Sequence, residues 1–213
     1  MNFKEFEKKF NAYPIFSKSE IDKRIPDFDR NALTRWQQKD YLRKIRNGLY
    51  YFSDQPIDNS DALFYVANEL YSPSYISLAS ALSYYGFIPE GVFTTTSVST
   101  LRTRKFSTDI GNFSFQTLKK ELFLGYRLLP YQNHFYKIAT PTKAFFDYLY
   151  LNPKFKTEAD FFEWRLNFRE LQLLFSEQEF RSYLDYTNSP TLQKRGLSFL
   201  KFLKENDVTG RNS

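Results

Sequence analysis

Cysteine is absent from the 213 residues, which excludes disulfides, cysteine-ligated zinc, iron–sulfur clusters and thiol nucleophiles. Histidine occurs once, as His134. A multi-histidine metal site and a pair of histidines sharing acid–base work are excluded with it. No apolar run reaches the roughly 18 residues that a membrane-spanning helix needs. The opening MNFKEFEKKF lacks the apolar stretch of a signal peptide, so a cytoplasmic protein without membrane contact is expected. Neither G-x-x-x-x-G-K-[ST] nor G-x-G-x-x-G occurs, and no loop of the kind that cradles phosphates is expected.

What is present is aromatic and basic. Phe and Tyr number 24 and 16, and aromatics make up 20% of the chain. They take the core positions that Leu and Met fill elsewhere. Apolar residues at 42% and charged residues at 25% fit a folded chain with room for one large domain or two small ones. The net charge is +6 and it is uneven. Residues 1–54 hold 12 basic against 8 acidic residues, whereas 55–150 hold 8 against 7 and 151–213 hold 10 against 9. Between Arg30 and Tyr50, six basic residues (Arg30, Arg35, Lys39, Arg43, Lys44 and Arg46) face only Asp40. A cluster of one sign repels itself, which points to an anionic partner.

The residues of that segment order themselves into three short helices and a hairpin. Phe3, Phe6 and Phe10 make one apolar stripe, which predicts a first helix. Ser17-Lys18-Ser19-Glu20 reads as a capping box, with Phe16 and Ile21 as its hydrophobic staple, and Pro26 ends that second helix. Asp29 is the expected cap of a third helix running to about Lys39. Ala32, Leu33 and Trp36 form its apolar face, and Asn31, Thr34, Arg35 and Gln38 line the other. Arginine and side-chain amides are the groups that read guanine and adenine edges. Tyr41 to Phe52 then reads as a β-hairpin turning at Asn47-Gly48, with Arg43, Lys44 and Arg46 near its tip. Together these elements predict a winged helix-turn-helix over 1–54, with the third helix in the major groove of duplex DNA and the wing on phosphates.

The remainder, 55–213, is expected to be an α+β domain opening after the turn-rich Gln55–Ser60. A helix is predicted over Asp61–Tyr71. Ser72-Pro73 is read as the start of another, running through Tyr85 to Gly86. Strands are predicted over 92–100, 101–108, 112–117, 123–129 and 134–139, forming an antiparallel sheet. Thr140-Pro141 caps a helix through Leu151. From about 151 a helical tail follows, with caps at Thr157 and Ser176 and a last helix over 197–204.

Several of these residues carry a resemblance. The wing end Gly48-Leu49-Tyr50, the run Tyr75-Ile76-Ser77-Leu78-Ala79-Ser80-Ala81-Leu82-Ser83-Tyr84-Tyr85-Gly86, and Ile138-Ala139-Thr140-Pro141-Thr142-Lys143-Ala144 with Asp147 resemble the AbiEi family. These are antitoxins of abortive-infection, type IV toxin–antitoxin systems. Thr142 stands where many members carry an acidic residue, and the likeness covers roughly residues 5–150. It implies an N-terminal winged helix that binds operator DNA and represses the toxin–antitoxin operon. It also implies a C-terminal domain that counters a nucleotidyltransferase-like toxin without a stable complex.

Enzymatic chemistry is not expected. His134 lacks an evident partner, and Asp109 and Glu121 lack the spacing of a metal nuclease. Glu158, Asp160 and Glu163 suit a helix start. No catalytic residue, metal ligand or cofactor site is therefore assigned. The expected DNA-binding residues are Asn31, Thr34, Arg35, Gln38, Lys39, Arg43, Lys44 and Arg46. Arg102, Arg104 and Lys105 form a second basic set, with Arg102 and Arg104 placed on one face of a strand. The alternative is a winged-helix transcriptional regulator whose second domain senses a ligand or a protein, with no toxin involved.

Overall fold

A computed structural model of the chain describes residues 1–46, 48–89 and 91–206. Its first elements are α1 (Phe3–Phe10), β1 (Phe16–Ser17), α2 (Lys18–Arg24), α3 (Asn31–Gln38), β2 (Leu42–Arg46) and β3 (Leu49–Phe52). Two capping boxes set the helix starts. Asn2 accepts from the Glu5 N–H at 2.9 Å, and Ser17 accepts from the Glu20 N–H at 3.2 Å while Glu20 reaches back to the Ser17 N–H at 2.6 Å. Each such cap stabilises a helix by about 1 kcal/mol. Asp29 does not occupy the cap of α3. Arg30 stands there without a side-chain capping bond, and Asp29 instead accepts from the Asn31 N–H at 3.0 Å.

β2 and β3 pair antiparallel as expected, with a register shift between Lys44 and Arg46. Gly48 takes φ +82° in their turn, a conformation that disfavours any Cβ. Asn47, its expected companion, lies outside the described residues. A strand that the sequence did not announce, β1, pairs with β3 through Phe16–Tyr50, giving the order β1-β3-β2. Phe6, Phe10, Phe16, Ile21, Leu33, Trp36, Leu42, Tyr50 and Phe52 close into one hydrophobic cluster.

After the irregular 53–59 come α4 (Ser60–Leu70), β4 (Ser74–Ile76) and α5 (Leu78–Tyr84). The expected helix from Pro73 to Tyr85 is therefore wrong over its first half. Tyr75 and Ile76 are fully buried on a central strand, and a short strand covered on both faces lacks the alternation that would mark it. Ser77 therefore precedes α5, and Ser80 and Ser83 lie on it. β5 (Thr94–Ser99), β6 (Arg104–Thr108), β7 (Gly111–Thr117), β8 (Tyr126–Tyr131) and β9 (His134–Ala139) complete a six-stranded sheet of order β6-β7-β5-β4-β9-β8. It is mixed rather than antiparallel, since β4 runs parallel to β9 and β5 parallel to β7. Between β5 and β7 the chain makes only β6, whereas between β4 and β9 it passes through α5 and four strands.

α6 (Pro141–Leu151) begins at Thr140, whose hydroxyl accepts from the Lys143 N–H at 3.3 Å. The segment expected as a tail folds instead into α7 (Glu158–Phe162), α8 (Phe168–Leu174), α9 (Glu177–Tyr186) and α10 (Pro190–Glu205). These helices belong to the body of the molecule. Phe161, Trp164, Leu171, Phe180, Phe199 and Phe202 join the large core that also holds α4 and the sheet. Buried Arg195 on α10 donates to the carbonyls of Leu149, Asn152 and Phe155, at 2.5, 2.7 and 2.8 Å. Leu149 lies in the last turn of α6, where carbonyls lack an intrahelical partner, and Asn152 and Phe155 lie in the segment that follows. The architecture is thus α+β, and no described helix is long and apolar enough to cross a membrane.

Candidate nucleic-acid interface

α3 has two unlike sides. Ala32, Leu33 and Trp36 are buried in the N-terminal cluster, while Asn31, Thr34, Arg35 and Gln38, with Lys39 at the helix end, are exposed. The ring contacts of Trp36 with Phe3, Phe6 and Phe28 fix which way the helix turns. The polar face is therefore presented outward by packing rather than by propensity.

The basic side chains near it differ in what they touch. Arg35 donates to Asp29 at 2.9 Å, Arg30 to Asp22 at 2.7 Å, and Arg43 to Asp40 through both Nε and Nη2, at 3.1 and 3.2 Å. The Arg35 guanidinium and the Asn31 N–H hold the Asp29 carboxyl below the usual range, and Arg43 does the same for Asp40. Asp40 in turn pushes the Arg43 pKa further up. Lys39 and Lys44 are exposed and meet no carboxylate among the described residues. Lys18 on α2, which nothing in the sequence linked to the hairpin, lies beside Gly48; its N–H donates to the Gly48 carbonyl at 2.9 Å. Only the pairing of β1 with β3 brings it there.

Arg46 departs from the expected arrangement. It is half-buried, donates to the Leu70 carbonyl at 3.1 Å and lies 4.9 Å from the Phe106 ring centre. From β6, Arg104 lies 5.2 Å from the centre of the same ring. Two basic sets far apart in sequence therefore meet at Phe106. Arg102 precedes β6 rather than sharing a strand face with Arg104, and its carbonyl accepts from Tyr71 Oη at 2.9 Å. Lys105 points to the opposite side of β6 from Arg104, as neighbours on a strand do. All three are exposed at the sheet edge.

The residues weighed for chemistry are placed elsewhere. His134 Nε2 lies 3.3 Å from the Ala12 carbonyl, between the Tyr13 and Tyr65 rings. Asp109 accepts from Tyr51 Oη at 3.2 Å. Asp160 completes the capping box of α7 with Thr157. Among the described residues no three acidic or histidine side chains group to hold a metal.

The motif residues Tyr75, Ser77, Lys143 and Asp147 converge on one fully buried knot. Lys143 Nζ donates to Asp147 and, at 2.9 Å, to Tyr75 Oη. Tyr75 and Ser77 donate to the second Asp147 oxygen at 2.9 and 2.8 Å. All four are out of reach of solvent, so the knot ties β4 to α6 rather than opening a site. A cleft of about 590 Å³ does open between α5, β5 and Trp164, walled by Leu82, Ile88, Val92 and Tyr148 with Glu163 as its acid.

The fold and site define a mixed α+β protein that presents a polar, partly basic helix face beside a basic hairpin. No protein-family model matches the chain, and no curated protein matches it either.

Proposed function

We propose that residues 1–54 are a winged helix-turn-helix that binds duplex DNA, with α3 in the major groove and the β2–β3 hairpin as the wing. The observation that carries the reading is the outward face of α3. Asn31, Thr34, Arg35 and Gln38 stand exposed on a helix whose other side is buried, with Arg43 and Lys44 beside them. These are base-reading and phosphate-reading groups on adjoining elements. Arg104, brought to the hairpin by the shared Phe106 ring, extends the basic surface.

The wider reading is an AbiEi-like antitoxin, not an enzyme and without cofactor. It represses its own operon and counters a nucleotidyltransferase-like toxin without a stable complex. The meeting of Tyr75, Ser77, Lys143 and Asp147 supports it, because residues from two of the short motifs that carry the resemblance prove to be spatial neighbours. The apolar cleft beside Trp164 favours the second reading, a winged-helix regulator that senses a ligand in its larger part.

Fluorescence anisotropy on a duplex from the protein's own promoter tests the DNA reading. Contact with about four to six phosphates gives a log affinity that falls against log salt with a slope of roughly −4 to −5. A slope near zero removes the reading. Co-expression with the neighbouring gene separates the other two. Rescue of growth supports the antitoxin, and growth arrest despite the full-length protein supports the regulator.

A further inference from the structure

If α3 reads bases, Arg35 is its strongest reader, and Asp29 is what holds that side chain. One Asp29 oxygen accepts from the Asn31 N–H at 3.0 Å and the other from Arg35 Nη2 at 2.9 Å. The carboxylate is thus fastened to the first turn of α3, and it fixes a guanidinium further along the same helix. Arg35 gives up one N–H of Nη2 to this bond, and its other Nη2 N–H, Nε and Nη1 have no acceptor among the described residues. Arg43 is the contrast, with Nε and Nη2 both taken by Asp40.

We infer that Asp29 is a positioning residue for base recognition, holding Arg35 so that its remaining N–H groups meet guanine O6 and N7. The inference rests on the DNA reading above. Its first physical ground is order. A long, exposed side chain loses rotamer freedom when it docks, and Asp29 has already removed part of that freedom in the unbound protein. The second ground is charge. Guanine satisfies Arg35 in full, whereas at any other base the carboxylate faces the polyanion with less return. Both effects widen the gap between right and wrong sequences. The carboxyl is half-exposed and held below the ordinary range by Arg35, so it is ionised at neutral pH.

The test is Asp29→Asn in the full-length chain, which keeps an oxygen for the Asn31 N–H and removes the charge. Wild type and variant are bound to a duplex library with a randomised centre, and the bound fraction is sequenced. The preference for G·C at one step is expected to fall about 2- to 10-fold, while affinity for a scrambled duplex rises. An unchanged preference overturns the inference. So does an equal loss of affinity for every duplex with a lower urea midpoint, the signature of a merely structural cap. Asp29→Ser repeats the measurement with a smaller acceptor that still serves the Asn31 N–H. Arg35→Ala keeps the two ideas apart. If it leaves the preference intact, the reading of α3 itself falls; if it abolishes the preference while Asp29→Asn does not, only the role of Asp29 falls.

Discussion

Lys143 and Asp147 are four residues apart on α6, and both side chains are fully buried. Burial drives the Lys143 pKa down and the Asp147 pKa up, each toward its neutral form, and their mutual attraction opposes both shifts. Removing one partner leaves the other charge buried alone, which costs about 3–5 kcal/mol. Lys143→Met and Asp147→Asn are each expected to lower the urea unfolding midpoint on that scale. Replacing both with apolar residues is often harmless for a buried pair, but not here. Tyr75 and Ser77 would lose their acceptor, at about 1–3 kcal/mol for each unsatisfied hydroxyl. Full recovery is expected only when Tyr75→Phe and Ser77→Ala accompany the double replacement. A double variant as stable as wild type would show that the knot is not held as described. The sequence displayed these four residues as motif members, but it could not display their burial. That comes from distant cover, including Tyr183 on α9, whose ring lies 5.7 Å from Lys143 Nζ.

Among the elements, those with strong local signals were legible. α2, the hairpin and α6 start or end at the caps, prolines and glycines that the chain shows, and α1 and α3 follow their apolar faces, although Asp29 does not cap α3. The segment 73–85 was not legible, because a three-residue strand followed by a seven-residue helix carries too few periods to tell one from the other. The C-terminal helices were legible at Thr157 and Ser176 and missed at Asn167 and Ser189, although both cap their helices. Their docking was hidden, because it depends on close approach rather than on pattern. Gly196 on α10 shows the point. A Cβ there would collide with the Leu184 side chain of α9, which is itself 2% exposed and has little room to move. Glycine to alanine within a helix ordinarily gains about 1 kcal/mol. Gly196→Ala is instead expected to lose about 1–3 kcal/mol through overpacking. Thermal melts read by far-UV ellipticity decide the sign, and a raised midpoint would mean that α9 and α10 are not in this contact.

At the scale of the whole molecule, the uneven charge of the sequence suggested a basic N-terminal unit set apart from a nearly neutral remainder. The packing joins them. One face of the hairpin closes the small cluster through Leu42, Tyr50 and Phe52, while Ile45, Leu49 and Tyr51 belong to the large core, as does Ile15. Tyr51 to Asp109, Arg46 to the Leu70 carbonyl and His134 to the Ala12 carbonyl bridge the same seam. Charge patterning could show where cations gather but not that a four-residue strand is buried along its whole length. A chain of 213 residues exceeds the size that usually unfolds in one step, yet this seam predicts that it does. The two tryptophans make the test direct, since Trp36 lies in the small cluster and Trp164 in the large one. In Trp164→Phe the remaining fluorescence reports the N-terminal cluster, and in Trp36→Phe it reports the large core. Within each variant, the urea midpoint by fluorescence is expected to coincide with the midpoint by far-UV ellipticity, which is dominated by the helices of the larger part. A Trp36 signal that is lost well before the ellipticity would mean that the small cluster opens by itself. The seam residues Ile45, Leu49 and Tyr51 would then contribute little to holding it.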